Sequence, residues 1–429
     1  MLISQEKSFE VNNQFWADFP NRISEENVKP YTLPDPFTCF DGRTIKNKEE
    51  WLSIRRPELL KFYQEKLYGF SPPKPDILEV EITLENDSTL DGLAVRKNLL
   101  ITMKQEDGRK ASFPVLLYTP KGKEGPFPVI INPNFYGNHT VSPEEDIPVS
   151  DHWLPFQWRS QFYTLEMREK FRGSKELSDR DFVKGTKAAL QRGYAVATFC
   201  YEYMMPDNGY HFSHSIYQLF HGEYDYMSEK RDYGAIGAWS WGISRVMDAL
   251  ENFPEIAVKK TIVLGHSRLG KTALWTGVQD ERVALTISNN SGCCGAKLFH
   301  RDFGETLHFM AYFRPFWYSL GIQEYADDEF NLPVDQHELI GMIAPRAVYI
   351  ASASEDFGAD PKGEFLAAWH AGKIYNLFGL KGLECEEKYP EPGTTLQTGS
   401  IAYHLREGRH ALTFYDWERY LDYADKVVK

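Results

Sequence analysis

The chain has 429 residues, 42% of them hydrophobic and 25% charged, so it can bury a sizeable core and is not disordered. Its net charge of −13 argues against a nucleic-acid partner, because a phosphate backbone needs a basic face. An acidic small substrate stays open, since a basic pocket can sit inside an acidic protein.

The first five residues, Met1-Leu2-Ile3-Ser4-Gln5, lack the apolar region of a signal peptide. Two locations follow as expectations: secreted or periplasmic if a signal peptide was removed, otherwise cytoplasmic. No run reaches the ~20 apolar residues that cross a bilayer, so no membrane partner is expected. Five cysteines without a C-x-x-C pair give no disulfide framework and no zinc signature, and no metal or cofactor is expected. Residues 1–75 are polar with scattered aromatics and prolines, and read as an N-terminal arm packed on the main domain. Within them, helical spacing over 49–69 (Trp51, Ile54, Leu59, Leu60, Tyr63, Leu67) stops at a proline cluster from Pro72 to Pro75.

A catalytic domain is expected over 76–429. Alternation over 77–84, 95–103 and 113–117 suits antiparallel strands. Continuous apolar runs over 128–131, 194–199, 261–264, 283–287, 347–351 and 401–405 suit strands buried on both faces. Helical patterns over 184–192, 235–250 and 415–427 alternate with these runs, which implies a mostly parallel sheet. Three aromatic or charged insertions are expected near 140–180, 203–232 and 293–335. Aromatic residues are 14% of the chain, which suits sugar or aryl binding.

The stretch Gly265-His266-Ser267-Arg268-Leu269-Gly270-Lys271 joins an apolar strand to a helix that carries Ala273, Leu274 and Val278. A serine at such a turn reads as the nucleophile elbow of an α/β-hydrolase, with the helix N-terminus facing an oxyanion. The second glycine comes one residue later than in G-x-S-x-G, and a helix N-cap serine is the alternative. In this fold the acid and then the base follow the serine in the chain. Asp356 stands after a later strand, with Glu355 as the fallback acid, and His410 stands after the last strand. Arg268 and Lys271 are cations beside the serine, placed to support an oxyanion and to reach a polar substrate. The loop 132–139 reads either as the second oxyanion donor or as an ordinary strand-end turn.

The run from Gly265 to Trp275 resembles the glucuronoyl esterases, in particular the bacterial branch of that carbohydrate esterase family. Supporting segments include Ala235 to Trp239, Asp280-Glu281-Arg282, Ser288 to Gly292, Leu332 to His337, Ile343 to Arg346, Ala359 to Phe365, and His410 with Tyr415-Asp416-Trp417. The resemblance spans most of the chain. It implies a three-layer α/β-hydrolase sandwich, with a mostly parallel central sheet, that cleaves the ester between a glucuronic acid branch of xylan and a lignin alcohol. The implied partner is a uronic acid ester of plant cell-wall polysaccharide, and a monomer is expected. By the same resemblance Ser267 is nucleophile and His410 base, Arg268 supports the oxyanion, Lys271 binds uronate hydroxyls and Trp317 lines the sugar subsite. Two positions depart from the family pattern. Asn290 stands where many members carry the acid, which moves that role to Asp356. Gly358 stands where members often carry a tryptophan, which opens the site. Rival readings are an acetyl or feruloyl polysaccharide esterase, and a degenerate protein that binds uronate or polysaccharide without turnover.

Overall fold

A computed structural model describes residues 5–150, 164–173, 181–208, 214–221 and 231–429. The insertions expected near 140–180 and 203–232 therefore lie partly outside the described residues. Among the described residues ten strands form one sheet: β1 (Ile77–Thr89), β2 (Ala94–Lys104), β3 (Lys110–Pro120), β4 (Val129–Ile131), β5 (Ala195–Thr198), β6 (Thr261–His266), β7 (Val283–Asn289), β8 (Ala347–Ala353), β9 (Thr395–Leu396) and β10 (Ile401–Arg406). Their spatial order is β1-β2-β3-β5-β4-β6-β7-β8-β10-β9. Strands β1 to β3 are antiparallel, and β3 is antiparallel to β5. From β5 through β10 every pairing is parallel, and β9 closes that edge antiparallel. The short strand β9 has no apolar run to announce it.

Alternating side chains explain the continuous apolar runs, because successive residues of a strand point to opposite faces. Ile262 and Leu264 of β6 pack with Leu285, Tyr349 and Trp417 on one face. Val263 between them packs with Trp239, Leu274 and Phe365 on the other. Both faces are covered by helices, so both demand apolar residues. The helices that matter for the site are α1 (Gln5–Arg22), α2 (Phe182–Gln191), α3 (Ala235–Leu250), α4 (Arg268–Gln279), α5 (Leu307–Phe313), α6 (Pro361–Leu377) and α7 (Phe414–Val427). Close approach of α2 and α7 depends on Gly185, where a Cβ would lie 2.2 Å from the Trp417 ring.

Parallel register brings the carboxyl ends of the strands level. Gly265 and His266 pair with Ser288 and Asn289, Asn289 pairs with Ala351, and Ala353 pairs with Arg406. The segments after β6, β7, β8 and β10 therefore emerge side by side, at the edge where open α/β sheets keep their chemistry.

Helix α1 was not foreseen from the sequence, where its apolar residues look scattered. Val11 and Phe15 are one turn apart and both buried, with Phe19 a further turn on. That narrow stripe is stable because it meets a partner: the Phe15 ring stacks on Phe309 of α5 with centroids 3.9 Å apart. Arg22 at the end of α1 reaches Asp302 at 3.1 Å, and its carbonyl accepts the Gly304 N–H at 2.9 Å.

Candidate active site

Strand β6 ends at His266 and α4 begins at Arg268, so Ser267 alone makes the turn. Its φ of 59° and ψ of −125° lie where a residue with a Cβ is strained. The chain can fold this tightly only because Gly265 and Gly270 flank the turn. A Cβ on Gly265 would lie 1.8 Å from the Leu269 carbonyl oxygen. One on Gly270 would lie 2.9 Å from Ser291 Cβ and 3.1 Å from the Asn289 oxygen. The late second glycine is thus the point at which the first turn of α4 crosses the chain leaving β7. The Ser267 N–H donates to the Asn289 oxygen at 2.9 Å, tying the turn to that chain.

His410 lies in the segment between β10 and α7, and Asp356 in the segment after β8. His410 Nδ1 is 2.6 Å from Asp356 Oδ2, with the imidazole side chain 44% exposed and the carboxylate largely buried. The Asn290 amide donates to the same Asp356 oxygen at 2.8 Å. Burial by itself would raise the Asp356 carboxyl, but His410 and the Asn290 amide outweigh it and hold it below its ordinary value. Asn290 thus occupies the bench beside the acid as a hydrogen-bond donor to it. Glu355, the fallback acid, is directed at Arg409, 3.5 Å away. Asp356 is the carboxylate against His410.

Beneath His410 lies His266, ring centroids 4.5 Å apart. Its Nδ1 is 2.6 Å from Asn289 Oδ1, whose amide in turn donates to the Tyr420 hydroxyl at 2.8 Å. Burial, then the proximity of His410, push the His266 imidazole down to about 3, so it stays neutral.

Arg268 is less free than a residue dedicated to an oxyanion would be. Its Nη1 donates to Asp207 Oδ2 and, at 3.4 Å, to the Tyr201 hydroxyl. The other Asp207 oxygen accepts the Trp317 indole N–H at 2.6 Å. One buried carboxylate therefore fixes both, and the guanidinium lies over the Trp317 ring at 5.1 Å from its centroid. Lys271 is 4% exposed and donates to the Ser291 carbonyl. That carbonyl is held from behind, because Glu364 of α6 accepts the N–H groups of Ser291 and Gly292 at 2.8 and 2.9 Å. Burial raises the Glu364 carboxyl to about 8.

Ser267, His410, Asp356, Glu355, Arg268, Lys271 and Trp317 all line one cavity of about 390 Å³, whereas no residue of the 132–139 loop lines it. Asn290 and Gly358 line it as well. Several residues there carried no sequence signal that was read. Glu305 supplies a carboxylate, and Arg314 a guanidinium that burial, then Arg268, lower to about 10. Trp16 and Phe19 come from α1. Asp207, which organises Arg268 and Trp317, was also missed. It follows Pro206 in a turn, and a turn aspartate looks the same whether it caps a loop or binds an arginine.

A family model described as glucuronyl esterase of fungi matches residues 182–379. The carbohydrate esterase MZ0003 from an unknown prokaryotic organism is 38% identical over 97% of this chain and 96% of its own length. A solved glucuronoyl esterase from Solibacter usitatus superposes with a TM-score of 0.82 at 36% identity, covering 93% of this chain and 99% of that one.

The chain belongs to the glucuronoyl esterase family. A carbohydrate esterase family 15 enzyme, described as promiscuous and from a marine bacterial metagenome, is equally similar, with a TM-score of 0.83, 36% identity and coverage of 94% and 99%. This glucuronoyl esterase has the α/β-hydrolase fold of its relatives and is a carboxylic ester hydrolase. The sheet order, the elbow after β6 and the residues after β7, β8 and β10 are the parts of the fold that hold its cavity together.

Proposed function

We propose that this glucuronoyl esterase hydrolyses esters of glucuronic acid, as in lignin–carbohydrate linkages of glucuronoxylan, through a Ser267–His410–Asp356 triad and an acyl-enzyme. The observation that carries the reading is the 2.6 Å contact of His410 Nδ1 with Asp356, in the same cavity as a serine at positive φ. With Nδ1 occupied by the carboxylate, Nε2 is the nitrogen left to take the Ser267 proton. Ser267 Oγ attacks the uronoyl carbonyl and His410 accepts the proton. The ionised Asp356 stabilises the imidazolium, which then protonates the departing alcohol oxygen. Water, deprotonated by His410, attacks the acyl-enzyme and releases the acid with Ser267 restored.

The first N–H groups of α4 and the Arg268 charge face the carbonyl oxygen as it becomes negative. Because Asp207 already neutralises part of that charge, Arg268 acts here as a fixed donor more than as a free cation. Lys271 has three N–H donors and gives one to Ser291, which leaves two for sugar hydroxyls. Glu305 offers an acceptor in the cavity, and Trp317 a flat face for the sugar. The test is turnover of benzyl glucuronate beside methyl galacturonate and p-nitrophenyl acetate. Turnover of the glucuronate ester well above the acetate supports the reading, with the galacturonate rate defining the sugar preference. Turnover of acetate alone overturns it in favour of an acetyl esterase, and turnover of none favours a binder without catalysis.

A further inference from the structure

The absence of a side chain at 358 leaves a space that another part of the chain borders. A Cβ built on Gly358 would meet nothing closer than Phe19 Cζ at 3.9 Å and Glu305 Cγ at 4.0 Å. Phe19 belongs to α1, and one helical turn earlier on the same face Trp16 also borders the cavity. Their rings are 5.1 Å apart, and Trp16 meets Phe309 edge-on at 6.3 Å. Phe309 stacks in turn on Phe313, and both line the cavity. The result is a continuous run of aromatic rings along the cavity.

Trp16 is 55% exposed, so little of its ring is used for packing α1 on the body of the protein, which Phe15 does instead. Its indole N–H is already given to Asn12 at 3.1 Å, and the other three rings carry no polar atom. A wall without free donors or acceptors suits a flat apolar group better than a sugar, whose hydroxyls ring its edge and need partners. An ester bound at Ser267 has two halves. Lys271 and Trp317 serve the hydroxyl-rich half, which leaves the other half for the aromatic wall.

We propose that α1 forms the subsite for the alcohol half of the ester, and that Trp16 and Phe19 select an aryl alcohol by stacking on its ring. This rests on the glucuronoyl ester reading and adds to it the residues that sort substrates by their leaving group. Trp16 and Phe19 bind and position; neither takes part in proton transfer. Phe19 borders the space beside Gly358, and both residues are borne on a different segment of the chain.

The experiment compares kcat/KM for benzyl glucuronate and methyl glucuronate in the full chain and in Trp16→Ala, Trp16→Phe and Phe19→Ala. Loss of one stacking partner is expected to lower the benzyl-to-methyl ratio roughly tenfold in Trp16→Ala, mainly through KM. Phe19→Ala lowers it by about threefold, and Trp16→Phe, which keeps a flat ring, retains it within about twofold. An unchanged ratio in Trp16→Ala overturns the proposal. So does an equal loss on both esters, which would place the sugar rather than the alcohol on the wall. Failure of the parent reading is seen separately, because the unmodified enzyme would then turn over neither glucuronate ester.

Discussion

The two walls of the cavity are built on opposite principles. The polar wall stands on strand ends: Ser267, Asn290, Asp356 and His410 each follow a strand of the parallel sheet, and the register of β6, β7, β8 and β10 sets their spacing. The aromatic wall stands on helix packing. Trp16 and Phe19 reach it because Phe15 stacks on Phe309, a contact between residues almost three hundred positions apart. A sheet edge fixes positions through a ladder of hydrogen bonds, and it tolerates little change. A helix resting on aromatic side chains is held by non-directional burial, and it can drift or be replaced. On the proposed reading the reacting atoms stand on the first kind of support, and selection among leaving groups is left to the second.

That contrast can be broken at several points. The largest effect is expected from Ser267→Ala, which should lower kcat by about 10⁴-fold or more on every ester alike, measured in steady state. Activity retained within a few-fold would remove the serine from the mechanism. Asp356→Asn comes next, with an expected loss of about 10³- to 10⁴-fold, because an amide cannot stabilise the imidazolium. The same variant tests a linkage. The Asp356 carboxyl titrates below its ordinary value in the folded protein, so it adds stability above the unfolded value, and that contribution fades as pH falls through the folded one. Acid unfolding curves of the parent and Asp356→Asn should therefore converge at low pH and separate above about pH 4.

Asp207→Ala should be intermediate. It leaves Arg268 and the Trp317 indole without their shared partner, and kcat/KM is expected to fall about 10²-fold. If Asp207→Asn, which keeps acceptor geometry but not charge, recovers most of the loss, then orientation rather than charge is the role of this carboxylate.

The smallest effect concerns the support behind Lys271. Glu364 keeps its proton to about pH 8 when folded but loses it near its ordinary value when unfolded. Between those two values the unfolded chain binds fewer protons, so stability declines as pH rises. Glu364→Gln, close in shape to the protonated acid, should flatten that decline, with the difference in Tm between pH 5 and pH 8 shrinking by on the order of 2 °C. An unaltered slope would show that Glu364 is not the group responsible.

How much of the site was legible depends on which wall a residue serves. Ser267, Asp356 and His410 could be placed because apolar strands announce themselves by composition and the fold orders its catalytic loops along the chain. Asn290 was seen to differ from the usual acid, but its use as a donor to Asp356 was not, since that needs two strand ends at known separation. Arg268 was read as a cation for the oxyanion. Its neutralising partner, Asp207, sits in a turn whose sequence says nothing of where the turn points. Gly358 was read as opening the site, but that Phe19 borders the space there, from the other end of the chain, was not read.

The sequence by itself determined the parallel sheet, the elbow at Ser267 and the order of the groups that follow it. Each is a local matter: apolar runs, glycines where a Cβ would collide, and loops at strand ends. Only the tertiary structure decided what confronts them. Whether Val11, Phe15 and Phe19 make a helix, and which wall that helix completes, depends on Phe309 being there to receive it. No local pattern encodes that meeting, because side-chain burial is indifferent to the distance along the chain between the residues it joins.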